Sequence, residues 1–214
     1  MKIAAIIQAR TGSTRFPSKV FALLADKPLL WHIVNRLTFC KKIDEIIVAT
    51  TLNKNDDKIE LWASENKIQV FRGSEADVLA RYYEAAKFCK ADVIVRITAD
   101  DPFKDPDVID NCIEILESQK LDFVCNNNPP SFPEGLDIEV FTFRALEIAN
   151  IKSNDDFERE HVTQYFHRNP SCFKHINIPY VKNISYIRLT IDTQKDYEMS
   201  KILYKHLSSL YKYL

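Results

Sequence analysis

Apolar positions in the first two-thirds of the chain alternate between short unbroken runs and helical stripes. Residues 2–8 carry the run Ile3-Ala4-Ala5-Ile6-Ile7, and residues 45–50 and 92–98 repeat the pattern with Ile46-Ile47-Val48-Ala49 and Val93-Ile94-Val95. Runs of this kind predict strands buried on both faces. A shorter strand is expected over 69–71. Between the runs, residues 29–39 place Leu30, Ile33, Val34 and Leu37 at helical spacing. Residues 56–66 do the same with Ile59, Trp62 and Ala63, and 76–89 with Val78, Tyr82, Ala85 and Ala86. A fourth helix is expected over 105–119, where Asp105-Pro106 puts proline in the first turn. Strands alternating with helices predict an α/β fold with a mostly parallel sheet covered on both faces.

The alternation breaks at Asn126-Asn127-Asn128-Pro129-Pro130, which reads as a loop. Beyond it, strands are expected over 137–142, 173–180 and 187–191, and helices over 143–150, 158–169 and 193–213. A small insertion within 126–185 is expected to cover the site or to join two copies of the chain. At 214 residues the chain suits one domain with such an insertion.

Composition narrows the function. A net charge of −1 gives no general field for nucleic acid, so any bound phosphate must meet local cations. No apolar run is long enough to cross a bilayer. The five cysteines, Cys40, Cys89, Cys112, Cys125 and Cys172, are scattered without a CxxC pair. They are expected to be small buried residues in a reducing cytoplasm. The first residues predict a strand and not a signal peptide.

Three glycines stand where an average chain would have roughly fifteen. All three fall in polar loops, so each is expected to mark a constrained backbone or a close approach. Gly12 lies in Ala9-Arg10-Thr11-Gly12-Ser13-Thr14-Arg15, directly after the first strand. With Lys19, Arg10 and Arg15 offer three cations beside free backbone N–H groups, enough to neutralise a triphosphate. The loop is not a Walker A sequence and has no G-x-G-x-x-G dinucleotide fingerprint.

Acidic groups gather at other strand ends. Thr98-Ala99-Asp100-Asp101-Pro102 puts two carboxylates at the carboxyl end of the fourth strand, where α/β sheets bind ligands. Asp100 is the expected Mg²⁺ ligand, since magnesium takes one or two carboxylates plus phosphate oxygens. Asp101 is either a second ligand or a helix cap, and Asp105 is an alternative cap. Asp192, after another apolar run, pairs with Asp100 as a second metal ligand. Asp196 lies one turn on and is either a cap or a further acid at the same point. Thr50, Arg72, Gly73 and Ser74 flank the second and third strand ends and are candidates for reading a base. Asp137 and Glu139 share one strand face and suit a polyhydroxylated substrate, or else a solvated edge strand. His161 is either structural or substrate-binding.

The run Ile6-Ile7-Gln8-Ala9-Arg10-Thr11-Gly12-Ser13-Thr14-Arg15-Phe16-Pro17-Ser18-Lys19 resembles the opening of cytidylyltransferases of the spore-coat polysaccharide (SpsF) type, relatives of CMP-Kdo and CMP-sialate synthetases. The resemblance continues in order through Lys27-Pro28-Leu29-Leu30, Ala49-Thr50-Thr51, Phe71-Arg72-Gly73-Ser74-Glu75, Thr98-Ala99-Asp100-Asp101-Pro102, Glu134-Gly135-Leu136-Asp137, Glu160-His161-Val162-Thr163 and Leu189-Thr190-Ile191-Asp192-Thr193. It implies a three-layer α/β/α Rossmann-like nucleotidyltransferase fold, CTP as donor and Mg²⁺ as cofactor. It also implies a small-molecule acceptor: a sugar, an acid sugar or a phosphorylated compound for surface glycan synthesis. By motif, Ala9, Arg10, Thr11, Gly12, Ser13, Arg15 and Lys19 hold the triphosphate. Thr50, Arg72, Gly73 and Ser74 lie near the nucleotide, and Asp100 and Asp192 hold the metal. Asp137, Glu139 and His161 line the acceptor side. Arg10, Lys19 and Asp100 carry catalysis. Ala99-Asp100-Asp101-Pro102-Phe103 departs from the Gly-Asp-Glu/Gln-Pro-Leu of the Kdo and sialate branches, a difference that bears on the acceptor more than on the donor. Rival readings are another nucleoside triphosphate with a sugar-1-phosphate, or a nucleotide-binding relative without turnover. A homodimer is an expected assembly.

Overall fold

The computed structural model describes residues 1–208. Strands β1 (Ile3–Gln8), β4 (Glu45–Thr51), β5 (Gln69–Gly73) and β6 (Val93–Thr98) form the parallel half of a seven-stranded sheet. β1 lies at its centre, with β4 and then β5 on one side and β6 on the other. The remaining strands are β7 (Phe123–Cys125), β8 (Glu139–Thr142) and β9 (His175–Asn177), and the full order is β5-β4-β1-β6-β8-β7-β9. Only β8 runs against its neighbours. A two-stranded hairpin, β2 (Leu23–Leu24) with β3 (Lys27–Pro28), stands apart.

Helices α1 (Leu29–Leu37), α2 (Asp57–Glu65) and α4 (Pro106–Ser118) cover one face of the sheet. Helices α3 (Val78–Cys89), α5 (Phe143–Lys152) and α7 (Gln164–Arg168) cover the other. Strand alternation divides the core accordingly. Ala4 and Ile6 of β1 pack with Leu79, Tyr82 and Leu146, whereas Ile3, Ala5 and Ile7 pack with Leu30, Ile33 and Ile113. A third cluster, Leu24, Leu29, Phe103, Ile191 and Tyr204, seats α8 (Gln194–Ser208) against the hairpin. The result is the expected three-layer α/β/α arrangement.

Several local expectations change. The helix read over 158–169 is two, α6 (Asp156–His161) and α7, because buried Val162 turns left-handed with φ 57°. The segment 187–191 is extended without a partner strand and holds only a bridge from Arg188 to Glu134. Residues 126–185 supply β8 and β9 to the main sheet. Glu139 is therefore internal, and the solvated-edge reading of its face does not hold. Cys89, Cys112 and Cys125 are buried as expected, but Cys40 is half-buried and Cys172 exposed. The last part of the helix expected over 193–213 lies outside the described residues.

Of the three glycines only Gly135 has positive φ, at +101°. A Cβ there would lie 2.7 Å from the Thr190 backbone nitrogen, so the residue lets two chain segments touch. Gly12 has ordinary space around it, so the reason expected for it is absent. Gly135→Ala is expected to lose about 2 kcal/mol, which lowers Tm by roughly 4–8 °C at this size. Thermal unfolding checks this, and an unchanged Tm refutes it.

Across the sheet, Arg96 of β6 faces Glu139 of β8, with their side chains 2.5 Å apart. Glu139 is buried, and His167 of α7 approaches its other oxygen at 3.4 Å. Burial favours the neutral acid, but Arg96, His167 and Thr163 overcome it and hold the carboxyl down at about 2. A depressed carboxyl contributes stability that is full above its ordinary value of 4.5 and is lost as pH falls toward 2. Glu139→Gln strands the Arg96 charge and is expected to cost about 3–5 kcal/mol at neutral pH. In urea unfolding, the gap between wild type and variant should stay constant above pH 5 and close below it. A gap that widens in acid would contradict the pairing.

Candidate active site at the divergence of two strands

The chain leaves β1 for β4 and β5 on one side and returns for β6 on the other. Crossover helices thus diverge above the carboxyl ends of β1 and β6, which leaves a crevice there. It opens as a cavity of about 990 Å³. The first loop, the end of β6, the start of α3, the α6 segment and Asp192 line it.

Asp56 holds the first loop in place. One of its oxygens accepts from the Thr11 backbone N–H and hydroxyl, both at 2.7 Å, and the other accepts from Thr51. Thr11 is consumed by this staple and does not line the cavity. Ser18 takes a left-handed turn at φ 56° and leads into the short 3-10 turn Lys19–Phe21.

That turn delivers Lys19 to the floor of the cavity. Its ammonium donates to Asp100 Oδ2 at 2.9 Å, Asp192 Oδ1 at 2.8 Å and the Ile191 carbonyl at 3.1 Å. Three donors meet three acceptors, so the group is saturated. Burial opposes its charge, but the two carboxylates outweigh burial and raise its pKa. Asp192 also receives Arg15 at 3.1 Å and Arg188 at 2.9 Å. These cations hold its pKa below the ordinary aspartate value despite burial.

The neighbouring acids have other duties. Asp101 is buried; it accepts from Thr98 at 2.7 Å and pairs with Lys104 at 2.9 Å. Asp105 caps α4 through the Asp107 and Val108 N–H groups. Asp196 accepts from the Asp192 and Thr193 backbone and the Thr193 hydroxyl, so it caps the start of α8. Asp100 and Asp192 remain as the pair converging on one cationic point. The Lys19 ammonium stands there as a cation would, and two carboxylates with room for further oxygens suit Mg²⁺. Among the described residues no cluster of three or more His, Cys, Asp or Glu offers a larger ligand set.

Of the expected site residues, Ala9, Arg10, Ser13, Arg15, Lys19, Asp100, His161 and Asp192 line this one cavity. Arg72 does not. Its guanidinium is held by Asp57 at 2.6 Å, Glu60 at 2.8 Å and the Thr51 and Asn53 carbonyls, both at 2.9 Å. Thr50 is fully buried, and Gly12, Gly73 and Ser74 are also outside the lining. Asp137 and Glu139 lie behind the wall, with Glu139 acting through Arg96.

Sequence reading passed over Gln8, Arg81 and Arg96, all of which line the cavity. A signal existed. Arg96 interrupts an apolar strand, and Arg81 falls on the apolar face of α3 with Val78, Tyr82 and Ala85. Each has a buried polar atom without a protein partner: Gln8 Oε1, Arg81 Nε and Arg96 Nε. Unsatisfied buried groups are rare in folded proteins and call for an explanation. Three in one cavity mark where a polar ligand belongs.

Comparison with known proteins gives the family. The cytidylyltransferase family model matches residues 4–213. An uncharacterized protein of Methanocaldococcus jannaschii is 46% identical over 96% of this chain and 84% of its own length. The spore coat polysaccharide biosynthesis protein SpsF of Bacillus subtilis is 36% identical over 94% of this chain and 85% of its own. A solved cytidylyltransferase structure from Leptospira borgpetersenii superposes with a TM-score of 0.90 at 39% identity, covering 94% of this chain and 85% of that one. Matched along nearly its whole length, the chain belongs to the cytidylyltransferase family.

Proposed function

We propose that this enzyme transfers CMP from CTP to an acid sugar, with Mg²⁺ held by Asp100 and Asp192. The convergence of both carboxylates on the Lys19 ammonium carries this reading. The named role of the Bacillus relative supports a surface polysaccharide as the destination.

Arg10, Arg15, Lys19 and the loop around Ser13 bind the triphosphate by paired and single charge-assisted hydrogen bonds. Asp100 and Asp192 would hold the metal, and Lys19, which bonds to both, is the cation placed to meet a phosphate oxygen. The bound Mg²⁺ would neutralise phosphate charge and help orient the leaving group. An acceptor oxygen attacks the α-phosphorus, the bond to the β-phosphate oxygen breaks, and pyrophosphate leaves. The protein contributes position and charge, and no side chain becomes covalently attached. His161 and Glu160 line the cavity and are the groups placed to take a hydroxyl proton from the acceptor. Arg96, fixed by Glu139, offers a guanidinium to the acceptor's carboxylate.

Thermal unfolding with ATP, CTP, GTP and UTP, each with and without Mg²⁺, tests the donor. CTP at a hundred times its Kd is expected to add about 2.7 kcal/mol, or roughly 5–10 °C, and to need Mg²⁺ for the full shift. Equal shifts with all four nucleotides would remove the base assignment. Asp100→Asn is expected to lower pyrophosphate release by about 100- to 1000-fold and to erase the Mg²⁺ dependence of the shift. Unimpaired turnover in that variant would remove the metal assignment. An α-keto acid sugar is expected to support release where a sugar-1-phosphate does not.

A further inference from the structure

The cavity lining holds one cation whose counter-charge is missing. Arg10 pairs with Glu75 at 3.5 Å, Arg15 with Asp192 at 3.1 Å and Arg159 with Asp77 at 2.6 Å. Lys19 has its two aspartates and Arg96 has Glu139. Arg81 is more deeply buried than any of these, at 3% exposure, yet among the described residues no carboxylate lies within ion-pair distance of it. Its one side-chain hydrogen bond goes to the Ser74 carbonyl, and its buried Nε meets nothing. A guanidinium does not escape by losing its proton, so the protein carries a buried charge with no carboxylate paired to it.

The surroundings are shaped to keep it there. A side chain at Gly73 would put a Cβ 3.0 Å from Arg81 Cγ, so the absence of one leaves room for the arginine stem. Burial weakens the charged form and the nearby Arg10 weakens it further, outweighing the support from Tyr82, Asp56 and Glu75. Arg10 and Arg81 thus lie near one another in the cavity lining, and Glu75 pairs with Arg10 alone. An incoming polyanion would relieve both.

We propose that Arg81 is a triphosphate-binding residue, its guanidinium taking a phosphate oxyanion of the bound nucleotide beside Arg10. This rests on the nucleotidyl-transfer reading and adds to it the group that supplies deep, rather than loop-borne, charge. It predicts an opposite effect on free and bound protein. Removing the charge relieves the ligand-free fold and weakens the complex.

Isothermal titration of wild type, Arg81→Gln and Arg81→Lys with CTP, inorganic tripolyphosphate and cytidine tests it. Arg81→Gln should weaken CTP and tripolyphosphate by about 10- to 100-fold, leave cytidine unchanged, and keep or raise the ligand-free Tm. Arg81→Lys should recover part of the phosphate affinity. Unchanged tripolyphosphate affinity in Arg81→Gln, or an equal loss for cytidine, overturns the proposal. A variant that unfolds or drops many degrees without ligand overturns it too, because the residue is then structural. If wild type takes tripolyphosphate but shows no preference for CTP, the cytidylyl reading fails. Loss of tripolyphosphate binding in Arg81→Gln still supports the role of Arg81 in that case.

Discussion

One ammonium group joins three parts of the chain that are distant in sequence. Lys19 follows the first loop, Asp100 ends β6, and Asp192 precedes α8. The Ile191 N–H adds a bond to the Asp100 carbonyl at 2.9 Å, so the two acidic segments are also tied to each other. Without a central cation, the two carboxylates would repel across the cavity floor. The lysine therefore has two duties in one position. It draws the acid pair together on one cationic point. It also occupies the point that the proposed metal would take between the two carboxylates.

A site built this way trades fold stability for readiness. The unsatisfied atoms of Gln8, Arg81 and Arg96 are carried in the same cavity. Each is a buried polar atom without a protein partner, a cost to the fold. The surrounding structure absorbs that cost through the two apolar layers on either face of β1 and through staples such as Asp56. Tyr82 shows the same economy of position. Its hydroxyl donates within 3.1 Å of the Ile6 and Ile97 carbonyls, the strands that flank the crevice.

Periodicity made the parallel half of the fold readable. Apolar runs of β-branched residues admit few alternatives when helical stripes separate them, and β1, β4 and β6 all appear where the runs fall. Short elements were not readable. β7 has three residues, and the β2–β3 hairpin has two per strand, so neither shows a period. The helix break at Val162 left no trace because a buried valine fits a helical stripe as well as it fits the turn that it makes. In the site, residues on the first loop and at strand ends were legible from charge beside apolar runs. The same logic selects Arg72, which lies outside the cavity lining. Its strand-end position is correct, but Asp57 and Glu60 on α2 capture it, and a pairing across helix and strand cannot be seen in the sequence alone. Arg81 was missed for the converse reason, since a charge within an apolar stripe is read as an exception until its burial is known.

The acidic pair Asp137 and Glu139 shows how the antiparallel strand changes the chemistry. Placed on an edge, both would face solvent or a sugar. Because β8 enters between β6 and β7, Glu139 is internal and its charge is spent on Arg96. The alternation that brings Glu139 under Arg96 also puts Phe141 in the core beneath α3 and α5. Burial of one strand face thus supplies both the packing and the counter-charge for a guanidinium at the cavity wall. The cavity wall therefore presents the Arg96 guanidinium with its carboxylate partner behind it. The same two acids exposed would have favoured hydroxyl groups. Strand order, more than the identity of the acidic residues, sets the charge presented at this wall of the cavity.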